Sequence, residues 1–111
     1  MASGLTLKFI FFGLIMLGVV LEVTGDIFFK KWALENKNVL LYAGLLIYFV
    51  GALFWALSLK YEYLSKAISI FTVLNLIIAV LAGVILFKED LTLLNKVGIG
   101  LGILSVILIE I

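Results

Sequence analysis

Four long apolar stretches, separated by short polar segments, constrain this chain more than any other feature. A membrane-spanning helix needs about 20 mostly apolar residues, and four segments fit, at residues 5–29, 39–59, 67–87 and 91–111. A chain of 111 residues that is 66% hydrophobic cannot bury its apolar surface as a soluble domain. Lipid offers no partner to backbone groups, so each span must be helical. The sequence therefore predicts an all-α membrane protein: one domain, residues 1–111, with four transmembrane helices.

The composition excludes several kinds of chemistry. The chain has no Cys and no His, which removes disulfides, thiolate metal sites and the commonest general base. The sequence contains no phosphate-binding loop, nucleophile–base pair or metal-ligand cluster, and a net charge of +1 gives no attraction for nucleic acid. We expect neither an enzyme nor a protein with a metal or cofactor, and no nucleic-acid partner.

The connections are short and carry most of the charge. Residues 30–38 and 60–66 are predicted to connect helices, and residues 88–90 a solvated turn. The lysines divide five to three between the two membrane sides: Lys30, Lys31, Lys37, Lys88 and Lys96 against Lys8, Lys60 and Lys66. The positive-inside rule then favours both termini outside. Because the two sides differ by only two lysines, two alternatives stay open. The chain inserts in both orientations, or it has a modest orientation bias and pairs with an oppositely oriented partner.

Four helices of this length make a thin bundle. A path for a substrate through the membrane, with a charged wall, would need more protein around it. Oligomerisation is therefore expected. Gly98 and Gly102 in the last span form a small-xxx-small pair that allows close helix contact. This pair is equally compatible with a dimer interface and with packing inside one chain.

Glu22 is the strongest candidate for a functional residue. It lies near the middle of the first apolar span, where a charged side chain costs roughly 2.5–3.5 kcal/mol on insertion scales. Apolar neighbours disfavour the ionised carboxyl, so Glu22 is suited to exchange a proton for a cationic substrate. The alternative is a polar residue that bridges helices, which is the less favoured interpretation because a charge at this depth is hard to retain without use.

Gly18 and Asp26 share the helix face of Glu22, at offsets of four residues. The small residue lets another backbone or a substrate approach the carboxyl. Asp26 is also one turn from Lys30, and an ion pair with Lys30 near the membrane edge is favoured slightly over a direct role. A sharper hypothesis is that two carboxylates one turn apart bind a substrate with two amines.

The second and third spans add weaker candidates for substrate binding. Ser69, Thr72 and Asn75 recur at a spacing of three and predict an inward polar face. Asn75 is deep enough to need a hydrogen-bond partner, so it either binds substrate or joins helices. Tyr48 offers an aromatic face that attracts organic cations, with ordinary packing as the alternative.

Several of these residues together resemble the small multidrug resistance family, within the drug/metabolite transporter superfamily. The segment Leu21-Glu22-Val23-Thr24-Gly25, followed by Lys30, is similar to the family's first-helix motif. The turn at residues 86–92, followed by Gly98 and Gly102, resembles the superfamily's Glu-containing turn and glycine-bearing last helix. The resemblance implies a dimer in the prokaryotic plasma membrane, often antiparallel, that works by alternating access. It also implies that Glu22 of each subunit binds either protons or a cationic substrate, and that the last helix contributes to dimerisation.

The chain departs from that family at the positions that face aromatic drugs. Ile70 and Val73 stand where drug exporters usually have Tyr and Trp, and Asp26 replaces a small or hydroxyl residue. These changes count against an exporter of aromatic drugs or guanidinium. They leave room for a polyamine exporter and for a relative of subunits that flip lipid-linked amino sugars. The leading hypothesis is a proton-coupled exporter of organic cations, of polyamine or quaternary-ammonium type, as a homodimer or as a heterodimer with a similar four-span subunit.

Two alternatives stay open. One is a subunit of a lipid-linked (amino)sugar flippase of the same superfamily, although such relatives generally lack the first-helix Glu. The other is a small structural or regulatory membrane subunit, for which replacing Glu22 would have little effect.

Overall fold

The computed structural model describes residues 4–110, which form four α-helices and contain no strand. They are α1 (Gly4–Glu35), α2 (Asn38–Ser58), α3 (Leu64–Leu86) and α4 (Leu93–Glu110). The first three are long and apolar enough to cross a membrane, and α4 is a shorter apolar helix. The predicted all-α membrane fold is confirmed. The fourth predicted span begins two residues before α4 does, and the last residue of that predicted span, 111, lies outside the described residues.

Helix α1 is longer than predicted. Its 32 residues span about 48 Å, well beyond the roughly 30 Å hydrocarbon core. Lys30 and Lys31 were expected in a connection but are helical, because lysine favours helices and a helix need not stop at the membrane edge. The helix ends at Glu35, and the next residue, Asn36, has a left-handed φ of 59°, a conformation that Asn tolerates better than most residues.

The first turn of α4 is fixed by a reciprocal cap. The Thr92 backbone N–H donates to Asn95 Oδ1 at 3.2 Å, and the Asn95 N–H donates to Thr92 Oγ1 at 3.1 Å. This is the arrangement of a capping box, with Asn in place of Glu or Gln. It ends the turn after α3 and sets the direction of α4.

Helices α1 and α2 pack closely through glycines spaced seven apart in each helix. These are Gly18 and Gly25 in α1, and Gly44 and Gly51 in α2. A methyl group at Gly25 would lie 3.1 Å from the Gly44 carbonyl oxygen, and one at Gly51 would lie 3.1 Å from Leu21 Cβ. Without side chains at these points, the two backbones approach each other directly.

A second face of α1 forms the apolar core with α3. The buried residues of this core are Phe11, Ile15, Val19 and Val23 from α1 and Ala67, Ile70 and Phe71 from α3. Helix α4 packs against α3, where Gly102 faces Leu76 and Val73. The molecule measures 50 × 34 × 19 Å, so its thinnest dimension is about two helix diameters. One chain is therefore a thin slab, as expected.

Candidate functional site

Glu22 lies at the crossing of α1 and α2. Its side chain is only 7% exposed, and its Cγ lies 3.0 Å from the position a Gly51 methyl group would occupy. Gly18, one turn earlier, is also buried and faces the Gly51 carbonyl. The two glycines leave room for a carboxyl between the helices, which agrees with the predicted role of small residues beside Glu22.

The Glu22 carboxyl lies beside Tyr48 and has one buried oxygen without a partner among the described residues. The Tyr48 hydroxyl lies beside the carboxyl and can donate a hydrogen bond to it. Oε2 is buried and has no hydrogen-bond partner among the described residues. A carboxyl oxygen can bind a proton or accept hydrogen bonds from a cation, so this atom can bind either one. The structure thus brings together Glu22, Gly18 and Tyr48, which the sequence placed on two different helices.

Asp26 lines a cleft between α1 and the end of α3, with a volume of about 160 Å³. Its charged residues are Asp26, Lys30 and Glu89, and the rest of its lining is apolar or glycine. Lys30 Nζ lies 3.9 Å from Glu89 Oε2, and within residues 4–110 no ion pair joins Lys30 to Asp26. The favoured interpretation of Asp26, an ion pair with Lys30, was therefore wrong, because Glu89 is the partner of Lys30.

Glu89 is the residue of this cleft that the sequence interpretation missed. Lys88 adopts a left-handed φ of 52°, which turns the chain back so that the Glu89 N–H donates to the Gly83 carbonyl at 3.2 Å. The Glu89 carboxylate then packs against Gly83, where a side chain would collide with it. Residues 88–90 are exposed, as expected of a solvated turn, but the contact of Glu89 with Gly83 was not predicted, because backbone reversal at a lysine leaves no mark in the sequence. Gly83 and the resemblance at residues 86–92 were the available signals.

The polar residues of α3 have three different environments. The Ser69 hydroxyl donates to the Ser65 carbonyl at 2.7 Å, and Thr72 is exposed. Asn75 is half-buried, and its Oδ1 is buried without a hydrogen-bond partner among the described residues. Gly18 faces the Phe71 ring. Since two short turns make α1 and α3 parallel, Asn75, one turn beyond Phe71, lies at about the depth of Glu22. Asn75 therefore has an unpartnered amide oxygen at about that depth, and substrate binding by Ser69, Thr72 and Asn75 stays a prediction.

The two glycines predicted at a dimer interface face different surroundings. A methyl group at Gly98 would meet nothing within 4 Å, whereas one at Gly102 would lie 3.8 Å from Leu76 and Val73 of α3. Gly102 thus contributes to packing within the chain. Gly98 lies on an open face, and its role in an interface stays a prediction.

Comparison with known proteins identifies the family. A model of the EamA-like transporter family matches residues 3–111. The chain is 36% identical over 76 residues to a probable 4-amino-4-deoxy-L-arabinose-phosphoundecaprenol flippase subunit of Hamiltonella defensa subsp. Acyrthosiphon pisum, covering 67% of this chain and 68% of that protein. No solved structure matches. These matches support the resemblance at the level of the drug/metabolite transporter superfamily and indicate a transporter rather than an enzyme. The chain is a multi-pass membrane protein that belongs to the EamA-like transporter family.

Proposed function

We propose that this chain is one subunit of a transporter that moves a lipid-linked amino sugar across the prokaryotic plasma membrane. The observation that carries the proposal is the similarity to a flippase subunit over two thirds of both chains. The substrate in that relative's name combines a primary amine, a sugar, a phosphate and a polyprenol. At neutral pH its head therefore carries a cationic amine next to an anionic phosphate.

The geometry of the carboxyl groups supports this substrate class. Glu22, with a buried unpartnered oxygen, and Asp26, one turn along α1 in the lateral cleft, are both suited to an ammonium group. A charge-assisted hydrogen bond between ammonium and carboxylate is stronger than a neutral one, so a carboxyl within the membrane compensates the desolvation of the amine. Glu22 thus has a role in a flippase, although the resemblance led us to expect such relatives to lack it.

The thinness of the chain supports a partner subunit. A slab 19 Å thick does not enclose a polar path, and the relative is itself named as a subunit. A second four-span chain, the same or similar, placed against this one would supply the missing wall. An antiparallel arrangement fits the nearly even distribution of lysines between the two sides.

The primary amine allows a direct transport test. Liposomes would contain the amino-sugar lipid in both leaflets, with and without the purified chain and a co-expressed four-span partner. A membrane-impermeant amine-reactive reagent labels only the outer leaflet, so translocation raises the labelled fraction from about half to nearly all. The proposal predicts this rise for the wild type and not for Glu22→Gln. A fraction that stays at half with either partner arrangement would contradict it.

The second candidate is a proton-coupled exporter of small organic cations. The observation that favours it is the buried, unpartnered Oε2 of Glu22 beside the aromatic Tyr48, since a carboxyl that binds either a proton or a cation couples the two. Its test is proton release from the purified protein on adding polyamines or quaternary ammoniums. Release that disappears in Glu22→Gln, together with no movement of the amino-sugar lipid, would replace the first proposal with this one.

A further inference from the structure

We propose that the cleft between α1 and the end of α3 is the binding site for the head of the lipid substrate, with the phosphate on Lys30 and the amine on Asp26. This inference rests on the proposed function and assigns the two charges of that substrate to two residues. In this site, Glu89 is the internal anion that occupies the phosphate position when no lipid is bound.

The ion pair of Lys30 has the character of an exchangeable contact. Lys30 and Glu89 are 3.9 Å apart, and their side chains are 46% and 48% exposed. Half-exposed pairs at this distance contribute little stability. A phosphate, which offers more acceptor oxygens than a carboxylate and binds charge-assisted donors well, can displace Glu89. The turn at Lys88 holds Glu89 against Gly83, so the carboxylate stays near the cleft when displaced.

The two charged groups on α1 are suitably spaced for one small head group. Asp26 and Lys30 are four residues apart on one helix face and both line the cleft, a separation of about 6 Å along the axis. A single sugar ring with an amine on one side and a phosphate on the other has a comparable span. Two carboxylates alone would suit a diamine, but the lysine in the same cleft favours a head group that also carries a negative charge.

The position of the cleft favours a lipid head. Its volume of about 160 Å³ is well below the roughly 300 Å³ at which pockets for drug-sized ligands begin, so it accommodates the charged groups of one small head. Lys30 lies at the end of the bundle where five of the eight lysines collect, and basic residues there attract lipid phosphates. The apolar walls from Ile27 and Phe87 leave room for the start of a lipid chain.

The test is equilibrium binding of labelled lipids to the full-length purified protein, with its partner where one is required. Three probes are used: a polyprenyl phosphate, the same lipid carrying the amino sugar, and the same lipid with the amine acetylated. Lys30→Gln should weaken binding of all three about tenfold, and Lys30→Arg should restore it. Asp26→Asn should weaken only the lipid with the free amine. Glu89→Gln should tighten binding of all three several-fold, because the competing anion is gone.

The matched control is Lys31→Gln, which removes an exposed lysine of the same helix that does not line the cleft. If Lys30→Gln, Lys30→Arg and Lys31→Gln all bound the lipids equally well, the assignment of this site would be overturned. Equally tight binding of the water-soluble amino-sugar phosphate would show a soluble ligand and overturn the lipid assignment. Lipid binding with these residue effects but without translocation would reject the proposed function and retain the site. Translocation that is unaffected by the Lys30 and Asp26 substitutions would reject the site and retain the proposed function.

Discussion

Glu22 keeps its position because the neighbouring helix has no side chain there. Its Cγ would be 3.0 Å from a methyl group at Gly51, so any larger residue at 51 competes with the carboxyl for the same space. The Tyr48 hydroxyl on the same helix faces the carboxyl, while Oε2 has no partner among the described residues. One helix face thus both makes room for the carboxyl and leaves one of its oxygens available.

Replacing Glu22 by Gln should remove transport and spare the fold. The amide has the shape of the carboxyl but carries neither its charge nor its exchangeable proton. We expect at least a tenfold loss in the rate of amine labelling across liposomes, since the buried carboxyl compensates the desolvation of the amine as the head crosses the membrane interior. The thermal midpoint in detergent should be unchanged or higher, because an unpaired buried charge is costly.

The control for this variant is Glu35→Gln, which neutralises an exposed carboxylate at the end of the same helix. Its ion pair with Lys37 at 3.5 Å is a surface pair of small effect, so transport should stay at the wild-type rate. If Glu22→Gln transported as fast as Glu35→Gln, Glu22 would be a packing residue. That result would favour a structural or regulatory subunit.

At the scale of elements, the helices themselves could be predicted from the sequence, but their ends and contacts could not. Hydropathy located four helices because bilayer thickness fixes their length. It placed the end of α1 at residue 29 instead of Glu35, because lysines at a membrane edge do not interrupt a helix. Gly18, Glu22 and Tyr48 were recognised one helix at a time. Glu89 was missed, because its position depends on a backbone reversal at Lys88.

The packing of α1 on α2 predicts that Gly51→Ala is destabilising. The added methyl group would lie within 3.2 Å of three α1 atoms, one of them the Glu22 backbone nitrogen. Overpacking of this kind costs about 1–3 kcal/mol, which exceeds the gain of up to about 1 kcal/mol that Ala brings to a helix. Chemical unfolding in detergent, followed by tryptophan fluorescence, measures the change.

Gly98→Ala is the comparison, because a methyl group there meets nothing within 4 Å. It should leave the unfolding free energy unchanged or raise it by up to about 1 kcal/mol. Equal effects of the two alanines would mean that the close α1–α2 contact does not determine stability.

The cap of α4 predicts a local effect. Thr92→Ala removes the hydroxyl that accepts from the Asn95 N–H and should cost about 1 kcal/mol. Hydrogen exchange should become faster in the first turn of α4 and unchanged in α2. Ser105→Ala is the control, because the Ser105 hydroxyl donates to the Leu101 carbonyl within the same helix and caps no helix end. Protection lost equally in both variants would exclude a capping role for Thr92.

At the scale of the whole molecule, the single chain is thin and leaves many large apolar side chains exposed. It is 19 Å thick, and α4 contacts mainly α3, so most of α4 faces outward. The polar candidates lie on α1, α2 and α3, whereas α4 adds no charged residue to the cleft. An arrangement in which three helices carry the candidate site and the fourth faces outward is the architecture expected of a subunit in an oligomer.

Gly98 provides the test of that arrangement. If α4 forms the subunit interface, Gly98→Leu should block close helix approach and lower the dimer fraction in liposomes about tenfold. Single-molecule photobleaching at limiting protein density measures the fraction directly. Gly13→Leu is the control, since Gly13 in α1 also has nothing within 4 Å and its substitution adds the same side chain to a different open face. A dimer fraction lowered by both variants would indicate a general effect of lipid-facing leucine, and one lowered by neither would assign the interface to another face. A loss of dimer that is confined to Gly98→Leu, with the monomer still folded, would place α4 between the subunits and leave the cleft of α1 and α3 open to lipid.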